Sequence, residues 1–321
     1  MTGLRYGRII LLLVVAVLVL GGFAAHDATI LSGVNLTSMA VFAVEVGLIA
    51  FGQTLVICGG DGAIDLSVGA ISALAQVALG LMIHAGIPWP IGILAALIAG
   101  VLAGLVNGIA VTRLRIPPII VTLATMFAFS GLALVATRGI NIDLTAGPAD
   151  FLAIGQGMVL GLPFQVLCIY LPVFLLCVVL QHRSGFGRAL YLTGTNALAA
   201  HLSGINVARV RAATYVLTGL LSAVAGVVQA ARLGTASPDG TDQANLISIA
   251  IVVLGGASIF GGDGSVIGTL IATIVIAIAD YGLSYNDFNP IYQAGVMGII
   301  LIAVVLLENL LRHHWLRRRG A

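Results

Sequence analysis

Long apolar runs recur along this chain, and they constrain its fold more than any other feature. Each has about 20 residues, the length that a helix needs to cross the hydrocarbon core of a bilayer. The runs consist mainly of Leu, Val, Ile and Ala, without the alternation typical of membrane β-strands. Only 8% of the 321 residues are charged and 60% are hydrophobic, whereas a soluble domain has about 25% charged residues. The sequence therefore predicts an all-α polytopic membrane protein, and it excludes a water-soluble globule and a disordered chain.

The hydropathy pattern predicts about ten transmembrane helices in one transmembrane domain that comprises residues 1–321. The first run follows Arg5 and Arg8 and is long for the apolar part of a signal peptide, so we interpret it as a retained helix. The predicted spans are 9–25, 39–58, 66–84, 91–112, 118–138, 163–181, 213–231, 246–260, 265–284 and 291–311.

The arginine residues predict which side of the membrane each loop occupies. With the amino terminus inside and ten spans alternating, 12 of the 14 arginines fall in inside segments, and only Arg138 and Arg232 fall outside. Cytoplasmic loops carry such an excess of basic residues. We therefore expect both termini to be cytoplasmic, whereas the outside loops collect aspartates.

Several kinds of active site are excluded or unsupported. The chain contains no lysine, which excludes a P-loop ATPase and a Schiff-base lysine. Its six histidines show no metal-binding spacing, and we expect Cys58, Cys168 and Cys177 to be small buried residues. No nucleophile is paired with a base. We therefore expect no enzyme activity, no metal and no cofactor in this chain.

The most polar stretch of the chain is the inside segment 182–212. Its middle, Asn196 to Leu202, predicts a short helix that Thr195 or Asn196 caps and that ends at Ser203 and Gly204. The segment fits two interpretations, an ordinary basic loop or a docking surface for a cytoplasmic partner.

A tetrapeptide occurs twice, as Gly-Gly-Asp-Gly at 59–62 and again at 261–264. Each copy lies between two predicted spans, and an apolar helix follows each. Internal repeats are common in transporters. A match of four residues in a glycine-rich chain also arises by chance, and both explanations stay open.

Several motifs, in order along nearly the whole chain, resemble the permease subunit of sugar-type ABC importers, the group for ribose, xylose, arabinose and autoinducer-2. They are IDLSVG at 64–69, GLVNG at 104–108, IPPIIVTL at 116–123, GR at 187–188, GTNA at 194–197, AAHLSGI at 199–205, IAIVVLGGAS at 249–258 and GGDGSVIGT at 261–269. The sequence departs from the family pattern at two places. These departures bear on which substrate is transported more than on whether the chain belongs to the family. The segment 61–63 is inserted before Ile64, and 280–282 reads Asp-Tyr-Gly where the family often has Asn-Gly.

The resemblance implies the partners of this chain. It implies a separate ATP-binding cassette subunit that uses ATP and magnesium, a second permease chain, identical or homologous, and a periplasmic sugar-binding protein. It places the chain in the bilayer of a bacterial inner membrane, with no nucleic-acid partner. The segment 183–211 would dock on the ATPase, and its candidate docking residues are Arg188, Gly194, Asn196, Ala199, Ala200, Gly204 and Arg209.

Polar residues inside predicted spans are candidates for the substrate pathway. A carboxylate at membrane depth costs about 3 kcal/mol unless it faces protein or water, and sugar hydroxyls pair well with carboxylates and amides. Glu45, Gln53, Asn107 and Asp280 are these candidates. Their alternative role is a hydrogen bond between helices, and Asp280 is also near enough to a helix end to be interfacial.

A second group of residues lies where helices break. Asp65 and Ser67 precede a helix, so they are candidate N-caps or parts of a gate. Gly255, Gly256 and Asp263 lie at the second break, where glycine permits close packing or a helix end.

The favoured function is the non-enzymatic permease subunit of an ABC importer for a monosaccharide. Two alternatives remain. One is the related permease for branched-chain amino acids. The other is a stand-alone secondary transporter or channel, which would need a coupling-ion site and would leave the segment 182–212 unexplained.

Overall fold

The computed structural model describes residues 2–239 and 244–289, with four isolated positions beyond them, 295, 298, 299 and 302. Twelve α-helices account for most of the described residues. They are α1 (Thr2–His26), α2 (Gly33–Cys58), α3 (Val68–His84), α4 (Trp89–Thr112), α5 (Pro118–Thr137), α6 (Ala149–Gln156), α7 (Leu171–His182), α8 (Gly185–Thr195), α9 (Ala197–Leu202), α10 (Val207–Leu233), α11 (Ala244–Leu254) and α12 (Val266–Tyr285). A 3-10 turn at Ala28–Leu31 precedes α2, and a π-helix at Gln165–Tyr170 continues into α7.

Nine of the ten predicted spans coincide with described helices. Seven helical segments in the described part of the chain are long and apolar enough to cross a membrane, and α3 and α11 are shorter apolar helices. The seven are Ile9–His26, Gly33–Cys58, Trp89–Thr112, Pro118–Thr137, Gln165–His182, Val207–Leu233 and Val266–Tyr285. The tenth predicted span, 291–311, lies almost wholly outside the described residues, and the count of ten stays a prediction.

Helix α2 forms the centre of the bundle. Almost every residue from Ala43 to Cys58 is buried, and α2 packs against α10, α11 and α12. Helix α10 also packs along α3 and α4. Prolines start two of the surrounding helices, because Pro90 lies in the first turn of α4 and Pro118 is the first residue of α5. The fifth predicted span, 118–138, begins at the same residue as α5.

Glycines allow α4 and α10 to approach each other closely. Gly100 and Gly104, four residues apart on α4, pack directly on the backbone of Gly219 and Tyr215 in α10. A side chain on either glycine would overlap the other helix. Small residues at this spacing are typical of helix pairs in membranes.

Two features of the fold depart from the sequence prediction. Among the described residues, four two-residue strands form two antiparallel pairs, so this part of the chain is mostly helical rather than entirely so. The strands are β1 (Ile142–Asp143), β2 (Met158–Val159), β3 (Leu162–Pro163) and β4 (Thr235–Ala236), with β1 paired to β4 and β2 to β3. The second departure is Cys168, which is exposed on the outer surface of the bundle, whereas Cys58 and Cys177 are buried.

Candidate functional site

A chain of buried polar side chains crosses the interior from the α2–α3 connection to α5. The Oδ1 atom of Asp65 accepts hydrogen bonds from the N–H of Ser67 at 2.8 Å and from its hydroxyl at 2.6 Å. Asn107 on α4 donates to the Ser67 hydroxyl oxygen at 2.7 Å and accepts from the Thr125 hydroxyl on α5 at 2.7 Å. Asp65, Ser67 and Asn107 are fully buried. We call Asp65, Ser67, Asn107 and Thr125 the interior polar network.

Side chains of α2 and α11 bond to the backbone of Asp65 and to the first turn of α3. With its carboxamide assigned so that both hydrogen bonds form, Gln53 donates to the carbonyl of Asp65 at 3.3 Å and accepts from its N–H at 3.1 Å. Asn245, in the first turn of α11, accepts from the N–H of Gly69 at 2.7 Å. The interior polar network therefore lies where five helices meet.

The start of α3 is capped differently from the sequence prediction. Ser67 occupies the N-cap position, but its side chain makes no capping hydrogen bond, because its hydroxyl is held by Asp65 and Asn107. Asn245 instead accepts a hydrogen bond from the N–H of Gly69 in the first turn of α3. The two short apolar helices α3 and α11 thus meet inside the bundle through their first turns.

Glu45 lies elsewhere and is engaged in an ion pair. Arg232, in the last turn of α10, donates from Nε to Glu45 Oε1 at 2.6 Å and from Nη2 to Oε2 at 3.1 Å. Its guanidinium carbon also lies 5.5 Å from the centre of the Phe42 ring. The pair joins α2 to α10 near the end of the bundle that carries β1 and β4. We call the end of the bundle that carries β1 and β4 the acidic end.

Asp280 is half-buried in the last part of α12, also towards the acidic end. Its neighbour Tyr281 donates to Asn35 at 2.7 Å, and Tyr285 donates to Asp27 at 2.9 Å. Asp27 also accepts from the hydroxyl and the N–H of Thr29. These bonds, those from Thr29 first, hold the pKa of the Asp27 carboxyl below its usual value.

The two Gly-Gly-Asp-Gly copies meet at the opposite end of the bundle. The backbone of Gly261 contacts that of Gly60, and a methyl group on Gly60 would lie 2.7 Å from the Cα of Gly194 in α8. The N–H of Gly262 donates to the carbonyl of Cys58 at 3.1 Å. The φ angles of Gly60 and Gly261 are +81° and +92°, which glycine adopts at little cost. We call Gly60, Gly194, Gly261 and Gly262 the glycine junction.

The glycine junction connects both helix breaks to the segment 182–212. Tyr191 on α8 donates to the carbonyl of Gly264 at 2.6 Å. Arg211, in the first turns of α10, forms an ion pair with Asp61 at 2.9 Å. The candidate helix-break residues lie close by: Gly255 packs on Gly268 of α12, and Asp263 accepts from the N–H of Gly264.

The segment 182–212 folds into two helices, α8 and α9. Helix α9 begins after Asn196, whose side chain accepts from the N–H of Ala199 at 2.9 Å, and it ends at Ser203 before Gly204 at φ +84°. The predicted short helix is therefore confirmed, whereas α8 was missed. Arg188, Asn196, Ala199, Gly204 and Arg209 are exposed.

Two predicted docking residues do not face outwards. Ala200 is only 3% exposed, because it lies on the side of α9 that packs on the protein. Gly194 belongs to the glycine junction and contacts backbone. Helix α9 instead presents Leu198 and Leu202, 68% and 78% exposed. It borders a cleft of about 790 Å³ whose lining includes Arg115, His201 and Arg211.

The structure thus brings together only part of the predicted site. Asp65, Ser67 and Asn107 meet in the interior polar network and Gln53 bonds to the backbone of Asp65, whereas Glu45 and Asp280 lie towards the acidic end. Sequence reasoning missed Asn245, which immediately precedes the predicted span 246–260, and it placed Arg232 in a loop. An asparagine beside a short apolar run was the only signal for Asn245.

Comparisons with known proteins agree with this architecture. A family model described as the permease component of a branched-chain amino acid transport system matches residues 35–305. The ribose import permease protein RbsC of Bacillus subtilis (strain 168) is 41% identical over 263 residues, 82% of this chain and 81% of the relative. The autoinducer 2 import system permease protein LsrD of Yersinia enterocolitica is 34% identical over 326 residues, 98% of this chain and 97% of the relative.

Two solved structures share the fold at 16% identity. One is an inward-facing conformation of a putative metal-chelate type ABC transporter, with a TM-score of 0.55 over 95% of this chain and 99% of that one. The other is PsaBC from Streptococcus pneumoniae in complex with Fab, with a TM-score of 0.52 over 89% of this chain and 94% of that one. The chain is thus a multi-pass membrane protein that belongs to the family of branched-chain amino acid transport system permease components, and it is a permease subunit of an ABC importer, not an enzyme.

Proposed function

We propose that this permease carries a monosaccharide, with D-ribose as the first candidate, across the inner membrane of a bacterium. The supporting observation is its 41% identity with a ribose import permease over most of both chains. The interior polar network agrees with it, because hydroxyl, amide and carboxylate groups pair with sugar hydroxyls. The proposal includes ten spans in one transmembrane domain with both termini in the cytoplasm.

The substrate pathway of the proposal runs beside the interior polar network. Gln53 and Asn107 are the pathway residues, and Asp65 and Ser67 form a gate at the start of α3. Glu45, held by Arg232, closes the acidic end of the pathway, and Asp280 lies near its entrance. A periplasmic sugar-binding protein delivers the substrate to this end.

The energy comes from a separate ATPase that binds ATP and magnesium and docks on the exposed face of α8 and α9. Arg188 and Arg209 offer charge-assisted hydrogen bonds to its acidic groups or carbonyls, and Leu198 and Leu202 offer apolar surface. Movement of α8 reaches both helix breaks through Gly194. Two permease chains, identical or homologous, complete the importer.

The test is uptake into proteoliposomes that contain the permease and its ATPase, with the binding protein and ATP supplied. We expect uptake of D-ribose or another monosaccharide, and none without ATP. Uptake of L-leucine but of no sugar would favour the branched-chain amino acid alternative that the family description names. Uphill uptake by the permease alone, driven by a proton or sodium gradient, would establish a secondary transporter instead.

A further inference from the structure

Two buried polar atoms next to the interior polar network have no hydrogen-bond partner among the described residues. One is Oδ2 of Asp65, the second oxygen of the carboxylate whose Oδ1 binds Ser67. The other is the hydroxyl of Tyr215 on α10. Asp65 is completely buried and Tyr215 is 1% exposed. Leaving such a group unsatisfied away from water is costly, so both atoms call for an explanation.

Packing places Tyr215 against the α2–α3 connection and against α4, the two segments that carry Asp65 and Asn107. The Tyr215 ring belongs to a small apolar cluster with Val56 and Ala63, and Ala63 precedes Asp65 by two residues. The Tyr215 carbonyl packs on Gly104, one turn before Asn107 on α4. Tyr215 thus packs against the connection that carries Asp65, and no hydrogen bond joins the two side chains.

The chemistry of the two atoms is complementary. A carboxylate oxygen accepts a hydrogen bond, whereas a phenol hydroxyl can donate one. An alcohol hydroxyl can donate to the first and accept from the second at the same time. An ammonium group can donate to the carboxylate but cannot accept from the phenol, and an apolar side chain can do neither. One sugar hydroxyl can therefore satisfy both atoms, whereas a branched-chain amino acid would have to place its ammonium group on Asp65 and its carboxylate on Tyr215 at the same time.

We propose that Asp65 Oδ2 and the Tyr215 hydroxyl together bind one hydroxyl group of the transported sugar as it passes through the bundle. This inference rests on the proposed function, because it identifies a binding pair for the same substrate. Ser67, Asn107 and Thr125 act as positioning residues, since their hydrogen bonds fix the orientation of the Asp65 carboxylate. Gln53 fixes its backbone.

The experiment compares Tyr215→Phe and Asp65→Asn with Ser222→Ala in the complete importer. Ser222 is a matched control, because it lies on the same helix, is fully buried, and its hydroxyl has no partner in the part of the chain described. Uptake of D-ribose and of its monodeoxy analogues is measured in proteoliposomes with a saturating amount of one binding protein. For each variant, the uptake rate of each analogue is divided by the uptake rate of D-ribose, and these ratios are compared between variants. The selectivity of the binding protein is the same for every variant, so it cancels.

We expect the wild type and Ser222→Ala to discriminate against one deoxy analogue. Tyr215→Phe should reduce that discrimination by about five- to tenfold, the worth of one neutral hydrogen bond, without changing the ratios for the other analogues. Asp65→Asn should act on the same analogue. A purely structural role would slow the uptake of every analogue equally, and it would also lower the thermal midpoint.

Two results would go against the inference, and they are distinguishable. If the wild type transports a sugar but Tyr215→Phe shows wild-type ratios for every analogue, this binding pair is wrong and the proposed function stands. If the wild type transports no sugar at all, the proposed function fails and the inference fails with it. Tyr215→Phe retains the ring and its packing, so it carries the test even if Asp65→Asn does not fold.

Discussion

Arg232 on α10 holds Glu45 on α2 in a two-bond ion pair, with Nε 2.6 Å from Oε1 and Nη2 3.1 Å from Oε2. The two residues are 187 positions apart in the chain. Their side chains are 20% and 11% exposed, so the pair is only partly hydrated. It therefore accounts for a carboxylate within a span, and it ties together the two helices at the centre of the bundle.

We predict that Glu45→Gln destabilises the permease by about 1–3 kcal/mol, because the substitution leaves the Arg232 charge partly buried without a counter-charge. The measurement is the thermal midpoint of the detergent-solubilised protein. The double variant Glu45→Gln with Arg232→Gln should lose less than the sum of the two single variants, since it removes both charges. Effects that add within about 0.3 kcal/mol would show that the two residues are not coupled.

Substitutions at the neighbouring residues Ala199 and Ala200 should distinguish an effect on ATPase docking from an effect on folding. Ala199→Trp adds a large side chain to the exposed face of α9, so we expect about tenfold or greater loss of ATPase affinity with an unchanged thermal midpoint. Ala200→Trp overpacks a buried position, which costs about 1–3 kcal/mol, and should lower that midpoint. Arg188→Glu should behave like Ala199→Trp.

Co-purification of the ATPase and thermal unfolding are measured for all three variants. Normal co-purification and uptake with both Ala199→Trp and Arg188→Glu would refute docking on α8 and α9.

The predicted orientation can be tested by labelling two exposed positions. Cys168 is replaced by alanine first, because it is exposed, whereas Cys58 and Cys177 are buried. In this background Asp239→Cys should react with a membrane-impermeant maleimide from outside intact cells. Asn196→Cys should react only after permeabilisation. The opposite pattern at both positions would reverse the orientation that the arginine distribution predicts.

Asp27 should make stability depend on pH at the acid end of the range. Its pKa is lower in the folded state than the usual value of about 3.9, so its contribution is present above that value and is lost as the pH falls through the folded pKa. The difference in thermal midpoint between wild type and Asp27→Asn should therefore shrink from pH 5 towards pH 3. A difference that stays constant over this range would contradict this origin.

Local signals in the sequence predicted much of this structure. Apolar run lengths located nine described helices, and Asn196 with Gly204 marked both ends of α9. Both rest on interactions within a few residues. The prediction that Ala200 faces outwards was wrong. A run of small residues has no polar side, so it does not reveal which face of a short helix is buried.

Contacts between distant segments could not be predicted in the same way. Asn245 satisfies an N–H of α3 at a distance of 176 residues along the chain, and no local pattern encodes such a pairing. The repeated tetrapeptide indicated two similar breaks, but not that their backbones touch. That contact depends on how α2, α8 and α12 pack against one another.

The glycine junction yields the sharpest test of coupling, because the repeated tetrapeptide contains its own control. Gly261 and Gly62 both have positive φ angles, +92° and +63°, so alanine at either position costs about 1–2 kcal/mol in backbone strain. Only at Gly261 would the added methyl group overlap another backbone, that of Gly60, whereas nothing lies within 4 Å of a methyl group at Gly62. The difference between the variants therefore isolates the contact.

We expect Gly62→Ala to retain ATP-driven uptake, and we expect Gly261→Ala to assemble with the ATPase but to lose uptake while ATP is still hydrolysed. The overlap would push apart the two helix breaks and α8, so movement of the docked ATPase would no longer reach the start of α3. Uptake and ATP hydrolysis are measured in the same proteoliposomes. Equal ratios of uptake to hydrolysis in the two variants would mean that the junction only packs the bundle, and coupling would then have to follow another contact, such as the ion pair of Arg211 with Asp61.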